Sequence, residues 1–270
     1  MIELHNADCM KVFPTIPDGS VDLVVTDCPY RIISGGCTNL ENRLGGFLNR
    51  DDSPKIRKGT HGHRYLGESK HCNLGSIFDE YNQGTYVKEG KLFKHNDIEF
   101  SEWLPEVYRV LKDGTHCYIM VNARNLKDLW VEAEKVGFTF QNLLVWDKGN
   151  ATPNKYYMNS YELILMLRKG PARNINDMGQ KNILRVPNVL GIKYHPTEKP
   201  VELMMILIEN SSNEGDVVLD PFMGVCGGGI ACKRLNRNFI GIEIDEKYFK
   251  IAEKRLEQKE QMSIFDLMKE

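Results

Sequence analysis

The chain has 270 residues, of which 41% are hydrophobic and 27% are charged, and its formal net charge is -2 at pH 7. This length is enough for one large domain with a substantial core, and the near-neutral charge neither favours nor excludes nucleic acid as a partner. Seven irregularly spaced cysteines argue against a disulfide framework, and the lack of a long apolar run or signal peptide predicts a cytoplasmic protein.

Acidic residues follow both of the first two predicted strands. Alternation over Ile2–His5 predicts a short strand, and a turn of amphipathic helix follows Asp8. The apolar, β-branched run Val21–Val25 predicts a buried strand that delivers Asp27 to the end of a sheet, directly before a turn at residues 28–30. Asp and Pro are common turn residues, so this turn alone is also compatible with a plain strand end.

Residues 31–97 are the least regular part of the chain, because glycines interrupt every period. A stretch of this length without structure is usually a functional loop or a disordered segment. Cysteine and histidine residues occur in it, but without the paired short spacing of a zinc site, so no metal site is predicted. These residues are Cys37, His61, His63, His71 and Cys72.

From Asp97 the chain alternates between helix and strand patterns. Ser101 is predicted to cap a helix that continues to Leu111 and ends at residues 112–114. The following predicted elements are a strand at Cys117–Val121, a helix at Leu126–Val136 closed by Gly137, and strands at Leu143–Trp146 and Tyr161–Leu167. This alternation is typical of an α/β protein with a doubly wound, mostly parallel sheet.

Basic residues concentrate in two segments. Residues 151–194 contain seven basic and two acidic side chains, and residues 31–71 contain eight basic and four acidic ones. A near-neutral protein with a phosphate-facing surface requires such a concentration, although solvated loops can also be basic by chance.

A strand, a glycine-rich turn, a helix and a second strand follow in register near the end of the chain. The first strand ends at Asp220, the turn spans residues 221–229, and Glu243 follows 23 positions after Asp220. This is the pattern of a nucleoside-binding βαβ half, in which an acid binds ribose hydroxyls and a helix N-terminus faces an anion. The Gly-x-Gly-x-x-Gly spacing is absent, which disfavours a nicotinamide enzyme.

Two motifs resemble those of the DNA amino-methyltransferases. Asp27-Cys28-Pro29-Tyr30 resembles their catalytic tetrapeptide, Asp/Asn/Ser-Pro-Pro-Tyr/Phe, and Asp220-Pro221-Phe222-Met223-Gly224 resembles their cofactor motif. The order of the motifs resembles the circularly permuted β class, and especially its phage and prophage members. The resemblance implies a Rossmann-like fold of the class I methyltransferase type, S-adenosylmethionine (SAM) as cofactor, and double-stranded DNA as substrate. It also implies a bacterial cell or a phage-infected host as the location.

The resemblance assigns roles to individual residues. Hydrogen bonds from an exocyclic amino group to the Asp27 carboxylate and the Cys28 carbonyl would localise the nitrogen lone pair, Pro29 would fix the turn, and Tyr30 would stack on a flipped base. Asp at the first position favours adenine N6, with cytosine N4 as the alternative. The implied cofactor-binding residues are Asp8, Thr197, Lys199, Asp220, Phe222, Gly224 and Glu243. A helix N-cap is an equally good account of Asp8.

One position departs from the family pattern. Cys226 stands where the family has glycine, and a side chain there is expected to crowd the ligand or to forbid a positive φ. The alternative function is therefore a catalytically impaired DNA-binding protein on the same scaffold.

The resemblance also suggests a domain organisation. Residues 1–260 are expected to form one methyltransferase domain, with 31–97 as a mobile insertion that covers the base or contacts DNA and 150–194 as a target-recognition region. The candidate DNA-binding residues are Asn154, Lys155, Arg168, Lys169 and Arg173. A homodimer and a role in restriction-modification are further expectations.

The last segment, residues 261–270, forms a tail. Gln261, Ile264 and Phe265 resemble the anchors of a bacterial sliding-clamp binding peptide. An amphipathic end that packs on its own domain is the alternative.

Overall fold

A computed structural model describes residues 1–29, 97–152, 157–189, 194–195 and 197–257. Most of these residues belong to one compact unit, which contains all the described residues of 1–29, 98–151 and 160–257. Tyr30, most of the 31–97 insertion, Asn154, Lys155 and the 261–270 tail lie outside the described residues, and so do the five cysteines and histidines considered for zinc. None of the helices described is long and apolar enough to cross a bilayer.

In these ranges the chain alternates between strands and helices. The strands are β1 (Ile2–Asn6), β2 (Val21–Asp27), β3 (Leu111–Val121), β4 (Thr139–Thr152), β5 (Asn159–Arg168), β6 (Ile183–Arg185), β7 (Val217–Asp220) and β8 (Asn238–Glu243). The helices are α1 (Cys9–Val12), α2 (Phe100–Val110), α3 (Leu126–Val136), α4 (Val201–Ser211), α5 (Gly227–Arg234) and α6 (Glu246–Glu257), and a 3₁₀ turn spans Phe13–Thr15.

The strands form one sheet in the order β1-β8-β7-β2-β3-β5-β4-β6. The first five strands in this order, which are β1, β8, β7, β2 and β3, are parallel to one another. The next strand, β5, runs antiparallel to β3. The prediction of an α/β, mostly parallel sheet is therefore confirmed. The carboxyl ends of the five parallel strands share one edge of the sheet, and we call this the carboxyl edge.

The reversal of β5 brings its first residues to the carboxyl edge. Val121, the last residue of β3, pairs with Leu163, whereas His116 pairs with Arg168 at the other end of the strand pair. A continuous strand pattern does not reveal strand direction, so the sequence analysis did not anticipate this reversal.

The start of α2 differs from the prediction. Glu99 rather than Ser101 is the N-cap, because Glu99 and Glu102 form a capping box. In it, the side chain of each residue accepts the backbone N–H of the other residue. The Glu99 N–H donates to Glu102 Oε1 at 2.8 Å. Gly137 does end α3, with a φ of 116°.

The core lies on both faces of the sheet, and β2 is at its centre. Residues 21–26 of β2 are all buried, as expected for a strand covered on both faces. Trp103 of α2 is fully buried and contacts Phe222 edge-to-face, with the ring centroids 5.2 Å apart. This contact fixes the turn after β7 against α2.

Candidate active site

Three acidic residues reach the carboxyl edge from neighbouring strands. Asp27 ends β2, Asp220 ends β7 and Glu243 ends β8, and the sheet places these strands side by side. Neighbouring strands lie about 5 Å apart, so the predicted catalytic acid and the predicted cofactor motif adjoin each other. Thr26 links the two strands directly, because its hydroxyl donates to Asp220 Oδ1 at 2.7 Å.

Asp27 belongs to a chain of alternating charges. Lys199 Nζ lies 2.5 Å from Asp27 Oδ2 and 3.3 Å from Glu162 Oε2. Lys148 Nζ lies 3.3 Å from Glu162 Oε1. The Lys199 side chain is only 9% exposed, so these ion pairs are shielded from water better than surface pairs.

The charged groups in this network shift one another's pKa values. Burial raises the pKa of Asp27, the Lys199 ammonium opposes that rise, and the Glu162 carboxylate adds to it. Burial alone would lower the pKa of Lys199, but the carboxylates of Asp27 and Glu162 raise it to well above its ordinary value. Lys199 is therefore a fixed cation beside Asp27 at neutral pH, and it favours the ionised form of that carboxylate.

The Cys28 side chain faces the protein interior. It is 2% exposed, and its thiol contacts the Met120 carbonyl oxygen at 3.7 Å. Burial and the nearby Asp27 raise the pKa of Cys28 well above the ordinary thiol value. The thiol is therefore not a nucleophile, and only the main chain of Cys28 is available for the predicted contact with an amino group. Pro29 follows in the described chain.

Asp220 supports the turn that follows β7. Its Oδ1 accepts hydrogen bonds from the Thr26 hydroxyl and from the Phe222 N–H, the latter at 3.1 Å. Burial raises the pKa of Asp220 to about 7, and both hydrogen bonds oppose this rise. Its buried position makes it a part of the scaffold of the cofactor motif.

Glu243 holds the glycine-rich turn from the next strand. Its Oε2 accepts the Gly224 N–H at 3.0 Å, and its Oε1 accepts the Asp245 N–H at 2.8 Å. Gly224 has a φ of +54°, and a Cβ built on it would meet no atom of the described residues within 4 Å, so these residues leave open space over the turn. A partly buried carboxylate, an open glycine turn and the N-terminus of α5 suit the ribose hydroxyls and the carboxylate of SAM.

Cys226 adopts the backbone conformation that the sequence analysis expected it to forbid. Its φ is 64°, and its side chain is fully buried. A Cβ built on Gly229 would lie 2.2 Å from the Cys226 sulfur, so the thiol occupies space that Gly229 leaves free. The side chain is accommodated under the turn, within the core, and this removes the physical basis for the expectation of a crowded ligand site.

The turn before α4 connects to Asp27 through Lys199. Lys199 Nζ also donates to the Thr197 carbonyl oxygen at 3.2 Å, and the Thr197 hydroxyl lies 3.0 Å from His195 Nδ1. Burial and the Lys199 charge lower the pKa of His195 to about 4, so this ring is neutral at pH 7. Asp8, in contrast, accepts the Met10 N–H at 2.9 Å as the N-cap of α1. Its contact with the cofactor stays a prediction.

The basic residues at the end of β5 lie far from Asp27. Arg168 pairs with His116, at the end of β3 opposite to the carboxyl edge. Its side chain donates to the Gly170 carbonyl, and Lys169 Nζ donates to the Leu111 carbonyl at 2.7 Å. Arg173 donates to the Ser211 carbonyl and pairs with Asp216. The structure does not bring these three residues to the candidate active site, and their DNA contacts stay a prediction.

The sequence analysis missed several residues that hold the site. Glu162 and Lys148 extend the charge network from β5 and β4. Arg255 of α6 pairs with Glu198 at 2.8 Å beside the cofactor turn. A signal for Glu162 was present, because it is the single charged residue within the apolar strand Tyr161–Leu167, and a buried charge needs a partner.

Known proteins share both the sequence pattern and the fold of this chain. A family model for N6 and N4 methyltransferases, described as DNA methylase, matches residues 21–254. The type II methyltransferase M2.DpnII of Streptococcus pneumoniae is 30% identical, over 95% of this chain and 90% of its own length. The type II methyltransferase M.HinfI of Haemophilus influenzae is 28% identical, over 93% of this chain and 67% of its own length.

Two solved structures resemble this one. The M1.HpyAVI–SAM complex superposes with a TM-score of 0.63 at 24% identity, covering 94% of this chain and all of that one. The cytosine-N4-specific PvuII DNA methyltransferase superposes with a TM-score of 0.65 at 14% identity, covering 99% of this chain and 90% of that one. At these identities the likeness concerns the fold.

Proposed function

The chain belongs to the N6/N4 DNA methylase family and is a SAM-dependent DNA amino-methyltransferase, and we propose that its acceptor is the N6 amino group of a flipped-out adenine in double-stranded DNA. The observation that carries this proposal is the position of Asp27. Its carboxylate ends the strand beside the cofactor motif and is paired with a buried lysine.

The two oxygens of Asp27 have different environments. Oδ2 is paired with Lys199, whereas Oδ1 accepts no hydrogen bond from any residue in the part of the chain that the structure describes. Oδ1 is therefore the acceptor for one N–H of the target amino group, and the Cys28 carbonyl is the acceptor for the other. These two bonds draw the nitrogen lone pair out of conjugation with the ring and direct it as the nucleophile.

When bound, SAM would supply an electrophilic methyl group on its sulfonium sulfur, and a neutral thioether would be the leaving group. Glu243 and the open turn at Gly224 hold the nucleoside, and the turn at Thr197 and Lys199 lies next to Asp27. As the nitrogen gains the methyl group it loses a proton, and Asp27 is the base within reach. The resemblance implies direct transfer, and the buried Cys28 thiol, whose pKa burial raises, does not offer a covalent intermediate.

Adenine is favoured over cytosine N4 because the first residue of the tetrapeptide is Asp. The order of the motifs supports placement in the β class. On this proposal Tyr30 stacks on the flipped base, and the 31–97 insertion together with Asn154 and Lys155 contacts DNA. In the sequence, Tyr30 and the insertion follow β2, which ends at Asp27, and Asn154 and Lys155 follow β4, which ends at Thr152.

The test is transfer of labelled methyl from SAM to unmethylated DNA, followed by nucleoside analysis. We expect N6-methyladenine from the wild type and none from Asp27→Ala, while Asp18→Ala, an exposed acid remote from the site, serves as the matched control and keeps activity. N4-methylcytosine as the product would replace adenine by cytosine as the acceptor. A wild type that binds DNA and SAM but methylates no DNA would refute the proposal in favour of an impaired scaffold protein.

A further inference from the structure

Arg255, in α6, contacts two separate segments of the candidate cofactor site. Its Nη2 lies 2.8 Å from Glu198 Oε1, in the turn before α4. Its Nη1 donates to the Val225 carbonyl oxygen at 2.7 Å, in the glycine-rich turn after β7. The exposures of the Arg255 and Glu198 side chains are 11% and 5%. One guanidinium thus joins two turns that are far apart in the sequence.

The Glu198 carboxylate is itself held by two partners. Glu198 Oε2 accepts the Tyr194 N–H at 3.0 Å, so each carboxylate oxygen has its own partner. The guanidinium also lies over the Tyr194 ring, 4.9 Å from its centroid. A planar guanidinium that forms an ion pair, a carbonyl hydrogen bond and a ring contact is restricted to one orientation.

The hydrogen bond from Arg255 to Val225 restrains the turn whose residues are expected to bind the cofactor. Val225 lies between Gly224, whose N–H is held by Glu243, and Cys226, whose φ is positive. The peptide whose carbonyl Arg255 holds is the one that leads into Cys226. Fixing that carbonyl therefore fixes the turn on both sides of it.

We propose that Arg255 is a positioning residue for SAM binding, which holds the glycine-rich turn and the 194–200 turn at a fixed separation. This inference rests on the proposed function, because it assigns both turns to the cofactor. In this proposal Arg255 acts through Glu198 and Val225, the two residues that its guanidinium contacts. Its effect should appear in the affinity for SAM and in the order of the free turns, with little change in kcat at saturating SAM.

The experiment compares Arg255→Lys and Glu198→Gln with a matched control, Lys233→Ala. Lys233 Nζ donates to the Leu256 carbonyl oxygen at 2.8 Å, so the control loosens the same helix without touching either turn. Lysine keeps the charge of Arg255 but replaces the two separate donors Nη1 and Nη2 by a single ammonium, so it does not reproduce the rigid fork that reaches both turns. Calorimetry gives the Kd of SAM, and hydrogen exchange of the protein without cofactor reports on the amides of residues 222–230.

We expect Arg255→Lys and Glu198→Gln to weaken SAM binding by roughly tenfold to a hundredfold, the range for loss of a charge-assisted hydrogen bond. Exchange at residues 222–230 should be faster in both variants, the KM for SAM should rise more than kcat falls, and Lys233→Ala should stay within about twofold of wild type. Equal Kd values and exchange rates in Arg255→Lys and wild type would overturn the inference, and so would equal losses in the variant and the control. A wild type that does not bind SAM would refute the proposed function itself.

Discussion

Replacement of Lys199 by methionine should move the acid limb of the pH–activity profile to higher pH. The ammonium lies 2.5 Å from Asp27 and lowers the pKa of that carboxylate against the effect of burial. Without it, Asp27 keeps only the influences that raise its pKa, namely burial and the Glu162 charge. A protonated Asp27 is a weaker acceptor for the amino group, so activity requires a higher pH.

The size of the shift follows from the geometry of the pair. Two unit charges about 4 Å apart interact by about 4 kcal/mol at an effective dielectric constant near 20. Asp27 is 24% exposed, and water reaching it screens part of this interaction, so we take roughly 1.5–3 kcal/mol. That corresponds to a higher pKa of Asp27 and to a loss of roughly tenfold to a hundredfold in activity on the acid side of the profile.

The assay is the pH dependence of kcat/KM for methyl transfer, with circular dichroism and thermal unfolding measured as a check on folding. Lys199→Arg retains the charge and should retain most of the wild-type profile. Lys148→Met is the matched control, because Lys148 pairs with Glu162 and not with Asp27, and it should shift the limb by less than about half a pH unit. A Lys199→Met protein that is folded and shows an unshifted acid limb would refute the role assigned to Lys199.

Three further predictions follow. Burial raises the pKa of Asp220 from the ordinary carboxyl value of 3.8 to about 7, so the folded protein loses stability as the pH rises between these values. Urea unfolding of the wild type should show this loss of about 2–4 kcal/mol, and Asp220→Asn should not show it. Gly229→Ala should lower the free energy of unfolding by about 1–3 kcal/mol, because the new methyl lies 2.2 Å from the Cys226 sulfur, and Cys226→Gly in the same chain should recover part of this in thermal unfolding. A peptide of residues 261–270 should bind a purified bacterial sliding clamp, and its Phe265→Ala form should not, as measured by fluorescence anisotropy; no binding of the unchanged peptide would eliminate the clamp interaction.

The sequence predicted the residues of the site that lie at the carboxyl ends of parallel strands. Asp27, Asp220 and Glu243 each follow an apolar run, and the ends of parallel strands meet at one edge, so their proximity could be inferred without coordinates. The same reasoning does not extend to Arg168, which ends an equally clear strand, and its contact with DNA stays a prediction. That strand runs in the opposite direction, and its last residue is therefore carried to the other edge.

Side-chain partners that are distant in sequence were beyond prediction. Lys199 and Asp27 are 172 positions apart, and Arg255 and Val225 are 30 apart. No periodic pattern connects such residues, because their contact depends on how the helices pack on the sheet. The error at Ser101 has a local cause, since several residues at one helix start can serve as caps and the capping box with Glu102 decided in favour of Glu99.

The two cysteines at the site provide built-in reporters of local opening. Cys28 and Cys226 are 2% and 0% exposed, and burial raises the pKa of Cys226 to about 12. Neither thiol should react with alkylating reagents in the closed state, since the thiolate is the reactive species and neither is accessible. The rate of labelling at Cys226 would therefore report the opening of the glycine-rich turn, and the rate at Cys28 would report the opening of the catalytic strand end, without any engineered cysteine.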